Sequence, residues 1–240
     1  PVQKLLIQIT KSTKIDGLVI ELRANGGGHL SEATELSGLF IERGPVVQLK
    51  ETRGRVQPLD DPSPGEAIYS GPLAVLVDRY SASASEIFAA AIQDYERGVV
   101  VGQQTFGKGS VQNLFSLDRI MREPGNGQLT LTIGKYYRVT GDSTQYQGVK
   151  PDIQLPSSID LDRVGESVRD TALPYDRIKP TRFRAKQSLD DEIQKLEAQH
   201  TARTILASGP AIATYIMSRR GLPKFLASTG TGLAHPNPTK

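Results

Sequence analysis

Three short apolar runs constrain this chain more than any other feature: Gly17-Leu18-Val19-Ile20-Glu21-Leu22, Leu73-Ala74-Val75-Leu76-Val77 and Val99-Val100-Val101. Runs this short and continuous read as strands buried on both faces. Helical spacing follows the first two. Leu30, Ala33, Leu36, Leu39 and Phe40 come after the turn Asn25-Gly26-Gly27-Gly28, and Ile87, Phe88, Ala91, Ile92 and Tyr95 predict a helix from about Ala84 to Arg97. The third run leads into a glycine-rich turn, Gln104 to Gly109. Strands separated by helices imply βαβ units and a largely parallel sheet. Residues 2–14 read as the end of an amphipathic helix, and Val46 to Leu49, Val111 to Leu117 and Gln128 to Val139 as further strands. The stretch RGRVQPLDDPSPGEA, residues 53–67, reads as surface loop.

At 240 residues the chain has room for one large domain, or a domain with an appendage. A net charge of +3 without a dense Lys/Arg block gives no nucleic-acid footprint. The absence of cysteine excludes a disulfide framework, a thiol nucleophile and a Cys-based metal site. No apolar run approaches the roughly 18 residues of a membrane span. The opening PVQKLLIQITKSTK has neither an initiating Met nor the order of a signal peptide, and reads as if it begins inside a domain. Composition shifts after Pro156. There Leu189, Ile193, Leu196 and His200 mark one face of a helix that Ser188 could cap. Ala211 to Arg219 predicts another, and GTGLAHPNPTK a disordered tail.

The segment DRYSASASEIFAAAIQDY, Asp78 to Tyr95, sets three serines between a strand and a helix. A helix start at the carboxyl edge of a parallel sheet offers free backbone N–H groups and a favourable dipole, both suited to an oxyanion. Ser83 lies immediately before the helical pattern, as a nucleophile there should. Ser83-Ala84-Ser85-Glu86 also matches a capping box, so a purely structural N-cap role stands beside the catalytic one. The base is not an obvious histidine: His235 lies in the tail, His200 on a helix face, and His29 reads as a solvated loop residue. Lys108, in GQQTFGKG, is the remaining candidate. A phosphate loop would need Ser or Thr next and then a helix, whereas Gly109 and a strand-like alternation follow. A lysine acts as a general base only when uncharged, which desolvation among apolar and glycine neighbours favours. The same segment also suits a surface lysine on a tight turn.

GLVIELRANGGG, DRYSASASEIFAAAIQDY, VVVGQQTFGKGSVQ and YQGVKPDI together, in this order, resemble the carboxyl-terminal processing peptidase family, in particular its tail-specific branch. The resemblance is strong over residues 1–156 and continues through ALPYDRI and the C-terminal helices. It implies an α/β fold with a ClpP/crotonase-like core of βαβ units and a helical C-terminal extension. The expected domains are a peptidase core at 1–156, the extension at 157–225 and a disordered tail at 226–240. It further implies a serine endopeptidase that forms an acyl-enzyme, with Ser83 as nucleophile, Lys108 as base and Gln112 orienting the lysine. Backbone N–H groups of Ala84 and of Gly26 or Gly27 would form the oxyanion hole. No metal or organic cofactor is implied.

The implied partners are proteins or peptides with apolar carboxyl termini and an adaptor lipoprotein, with no nucleic acid. Membrane association is not visible in the chain, and the implied location is the periplasm. Family members carry an upstream PDZ module that captures a carboxyl terminus as an added strand. Neither that module nor the strands before GLVIELR is found in this sequence, which therefore reads as a fragment. Asp94 occupies a position sometimes counted as a third catalytic member. Eleven residues at about 1.5 Å rise place it some 16 Å along the helix from Ser83, too far to touch the dyad, so a structural role at the helix end is expected. Two rivals stand: a non-catalytic peptide-binding scaffold of the same fold, and a crotonase-like acyl-CoA enzyme. The latter would need a nucleotide pocket and gives the Ser83/Lys108 spacing no role.

Overall fold

A computed structural model describes residues 1–62 and 65–206. In chain order the elements are α1 (Val2–Ser12), β1 (Leu18–Glu21), α2 (Leu30–Gly38), β2 (Pro45–Glu51), β3 (Val56–Asp60), β4 (Leu73–Val77) and α3 (Ala84–Asp94). There follow β5 (Val99–Gly102), β6 (Ser110–Ser116), α4 (Leu117–Met121), β7 (Gln128–Tyr137), β8 (Ile153–Gln154) and α5 (Asp190–Leu206). The three apolar runs form adjacent strands of a parallel sheet ordered β1-β4-β5-β8, with β4 and β5 central and β1 at an edge. Val75, Val77 and Val100 are fully buried there, whereas β1 alternates between half-buried and exposed residues, which corrects the reading of that run as covered on both faces: it is an edge strand. Helix α3 is buried from Ser85 to Ile92, so it lies inside the core and not across its surface. The run Ala89-Ala90-Ala91 lets neighbours approach its backbone, and Phe88 meets Phe40 edge to face at 5.9 Å.

A second sheet, ordered β3-β2-β7-β6, is antiparallel throughout. This corrects the expectation of a largely parallel architecture. Strands β2 and β3 are joined by a tight turn, Glu51 to Arg55, and a connection that short can only return the chain antiparallel. The same hairpin corrects the reading of residues 53–67 as loop. Val56–Asp60 pairs with β2 despite Pro58, because β3 is an edge strand whose outer side has no ladder bond to lose. The predicted helix to Arg97 ends earlier, at Asp94. Glu96 turns left-handed (φ 50°), and the Arg97 guanidinium folds inward onto the carbonyls of Phe40, Tyr69 and Gly71.

The chain divides into two compact units, Pro1–Gln194 and one beginning at Lys195. Residues 157–194 thus pack with the peptidase-like core, although the composition changes at Pro156. Helix α5 starts where the sequence places it, with the Ser188 hydroxyl accepting the Asp190 N–H at 3.2 Å. The predicted helix Ala211 to Arg219 and the tail at 226–240 lie outside the described residues. Among the described residues no helix is long and apolar enough to cross a membrane.

Candidate active site

The three serines separate by environment. Ser81 is buried and its hydroxyl donates to the Leu22 carbonyl at 2.8 Å. Ser85 is buried within α3, whereas Ser83 remains partly exposed at its start. The Ser83 backbone has φ 58° and ψ −115°. That conformation costs a non-glycine residue about 1–3 kcal/mol, and an ordinary N-cap residue sits instead in the extended region. The capping box that the sequence predicts is present: the Glu86 carboxylate accepts the Ser83 N–H, and the Ser83 side chain faces the Glu86 N–H. A serine kept in a strained elbow between strand and helix has the geometry of a strand-to-helix nucleophile, alongside its capping role.

Two buried groups hold the elbow in place and tie it to the lysine turn. The first is Glu86, fully buried on α3. Its Oε2 accepts the N–H groups of Ser83 (2.8 Å) and Lys108 (2.9 Å). Its Oε1 accepts the Gly107 N–H (2.7 Å) and lies 2.5 Å from the Thr105 hydroxyl. Burial pushes the Glu86 carboxyl up to about 7, against the pull of these donors. The second is Tyr136 of β7, whose phenol is shared between the carbonyls of Lys108 (2.5 Å) and Ser83 (3.1 Å). Burial, with the Glu86 charge nearby, holds this phenol well above its usual value, so it stays a donor.

The glycine loop lies against the elbow from the other side. Ala82 donates to the Asn25 carbonyl at 3.0 Å. Gly27 has φ +102°, and a Cβ there would lie 2.6 Å from the Ala82 carbonyl oxygen and 2.9 Å from the Ala84 nitrogen. Only glycine fits. The Gly27 N–H is engaged by Asn25 Oδ1 at 3.0 Å, and Gly26 has open space around it. Ala84 opens α3, so its N–H has no acceptor within the helix.

Lys108 is half-buried. The structure brings the Ser83 and Lys108 backbones onto common partners, while among the described residues no hydrogen bond joins their side chains. Such contacts commonly tighten only when substrate is bound. Gln112 sits exposed on β6 opposite Thr132, just past a bulge, and makes no hydrogen bond to Lys108. His29 is the exposed N-cap residue of α2. No group of His, Asp and Glu among the described residues could hold a metal ion.

Asp94 pairs with Arg138, which reaches it through Nε (3.0 Å) and Nη2 (2.5 Å). The carboxylate is 4% exposed and the guanidinium 18%, so the pair is shielded and fixes the last turn of α3 to the chain leaving β7. Asp94→Asn is expected to cost about 2 kcal/mol in urea unfolding, from the lost charge-assisted hydrogen bonds, while turnover per folded molecule stays within twofold.

Sequence reasoning saw Glu86 only as a capping partner and missed Tyr136, Thr105 and Arg79. One signal was present: the Glu86 carboxylate directly precedes the apolar run Ile87 to Ile92, and a carboxylate buried with that run needs several donors.

The elbow and its two sheets place the chain among the ClpP-like folds of the C-terminal processing proteases. The photosystem II D1 C-terminal processing protease superposes with a TM-score of 0.54 at 31% identity, over 67% of this chain and 40% of that one. Mature CPAF, 17% identical with a TM-score of 0.51 over 65% of this chain and 42% of that one, shares the fold alone. The chain belongs to peptidase family S41, whose description fits residues 2–155. The C-terminal domain of tail specific protease matches residues 159–207.

Two curated relatives are close in sequence. The tail-specific protease of Haemophilus influenzae is 45% identical over 207 residues, covering 84% of this chain and 30% of that protein. The carboxy-terminal-processing protease of Bartonella bacilliformis is 41% identical over 143 residues, 58% of this chain and 31% of that protein. The chain thus spans about 30% of the length of these relatives.

Proposed function

We propose that this chain carries the catalytic centre of a serine endopeptidase that cleaves proteins at or near their carboxyl termini, with Ser83 as nucleophile and Lys108 as base. The observation carrying this reading is the strained Ser83 elbow, held to the Lys108 turn through Glu86 and Tyr136.

In the proposed sequence the uncharged Lys108 amine takes the Ser83 hydroxyl proton as the oxygen bonds to the substrate's carbonyl carbon. Negative charge moves to the carbonyl oxygen, which the Ala84 N–H and the glycine loop stabilise. The Lys108 ammonium then gives its proton to the leaving nitrogen as the C–N bond breaks, leaving an ester on Ser83. Water attacks that ester with Lys108 again as base, releasing the carboxylate product and restoring the hydroxyl. Every proton in the cycle is handled by Lys108, so the steps balance without a cofactor. Gln112, four residues beyond Lys108 on β6, would serve by orienting the lysine. Apolar carboxyl termini as substrates and a periplasmic site of action belong to the same reading, on the strength of the tail-specific relatives.

The test is covalent labelling of the complete protein with a fluorophosphonate, read by peptide mass spectrometry, alongside β-casein cleavage. The label is expected on Ser83 and absent from Ser83→Ala, which should also be inactive. A label on another residue, or undiminished cleavage by Ser83→Ala, overturns the assignment.

A further inference from the structure

Arg79 lies in the turn after β4, four residues before Ser83, and its side chain is buried. A buried guanidinium ordinarily pairs with a carboxylate; this one spends its hydrogen bonds on neutral groups. Its Nη1 donates to the Thr105 carbonyl at 2.5 Å. Its Nε donates to the Val164 carbonyl at 2.6 Å, and Nη2 reaches the Ser167 hydroxyl at 3.1 Å and the Leu161 carbonyl at 3.4 Å. One rigid fork therefore joins the turn carrying Lys108 to a segment beyond the end of the matched peptidase description.

That segment holds the lysine turn at further points. The Glu166 N–H donates to the Phe106 carbonyl at 2.9 Å, and the Arg169 guanidinium lies 5.4 Å from the centre of the Phe106 ring. Gln145 bridges the far side, accepting the Gly109 N–H at 2.9 Å and donating to the Leu173 carbonyl at 3.1 Å. The contacts fall on Thr105, Phe106 and Gly109, on both sides of Lys108. Gly165 makes the arrangement possible, since at φ +132° a Cβ there would collide with the Arg79 guanidinium.

We propose that Leu161–Leu173 is a positioning strap: through Arg79 it fixes the turn that presents Lys108, so that catalysis depends on the first residues of the C-terminal domain being docked. The inference rests on Lys108 being the base. The strap touches the turn's backbone from behind and supplies no reacting group. Its loss should therefore lower kcat and leave substrate affinity alone, since misplacing a catalytic group by about 1 Å can cost on the order of 100-fold.

The experiment uses the complete protein with Gly165→Ala and Arg79→Lys, beside Lys108→Ala. Turnover of an internally quenched peptide with an apolar carboxyl terminus is followed from pH 6 to 10, with unfolding midpoints measured in parallel. Gly165→Ala is expected to lower kcat by about 30- to 100-fold with KM within threefold. Arg79→Lys, which keeps the charge but loses the fork, should lower kcat by about 10-fold and displace the pH profile of kcat. If either folded variant keeps the parent kcat and pH profile while Lys108→Ala is inactive, the strap is packing only and the inference fails. If Lys108→Ala itself turns over like the parent, the dyad reading falls, and the strap inference with it.

Discussion

Lys108→Ala should lower kcat by on the order of 10⁴-fold or more while KM changes by less than threefold. The proposed cycle passes four proton transfers through one amine, and removing it leaves only the oxyanion donors and binding to act on the peptide bond. Because Ser83 and Lys108 act as a unit, the double variant with Ser83→Ala should be no slower than either single one. Lys108→Arg should not rescue, since a guanidinium keeps its proton and cannot accept another. The backbone at position 108 contributes its N–H and carbonyl whatever the side chain, so the Glu86 and Tyr136 bonds survive and the fold with them. Steady-state cleavage of a quenched peptide decides the matter: a kcat within tenfold of the parent would remove Lys108 from the mechanism.

Glu86→Gln should lower kcat by about 10²- to 10³-fold and also destabilise the fold. The two carboxyl oxygens of Glu86 face three backbone N–H groups and one hydroxyl. When Glu86 is protonated on Oε1, its O–H can donate to the Thr105 hydroxyl, and every backbone N–H keeps an acceptor. A carboxamide cannot do this, because its NH2 end confronts at least one N–H that has nowhere else to go. The strain at Ser83 then loses one of the bonds that sustain it.

The pH dependence follows from the same geometry. Burial raises the Glu86 carboxyl from 4.5 to about 7, so the folded protein binds a proton more tightly than the unfolded chain. The stabilisation this gives is fully present below 4.5 and is lost as pH rises through about 7, by roughly 3 kcal/mol in all. Urea unfolding of parent and Glu86→Gln should therefore differ most near pH 5 and least near pH 8. A difference that grows with pH would show that Glu86 is an anion throughout, and would reverse the sign of its contribution.

The parallel sheet was legible because strands covered on both faces leave a continuous apolar run, as in Leu73–Val77. The antiparallel sheet was less so. Strand β3 combines Gln, Pro and Asp in Val56–Asp60, and only its pairing with β2 makes it a strand. Short-range context, a helix start and a glycine turn, made Ser83 and Lys108 candidates, and only the four ordered family motifs gave them roles. The groups that join them did not stand out, because Tyr136 lies 53 residues beyond Ser83 and belongs to the other sheet. Arg79 looked like an ordinary polar turn residue beside Asp78, and its burial depends on a segment more than eighty residues away. Distance along the chain, more than chemistry, hid these partners.

Tyr136 has a mechanical corollary. The proposed nucleophile and base share, besides Glu86, one phenol that is rooted in the neighbouring antiparallel ladder. Any force that shears one layer over the other, such as a polypeptide being drawn across the β6–β7 hairpin, would pull on the Ser83 and Lys108 backbones at once.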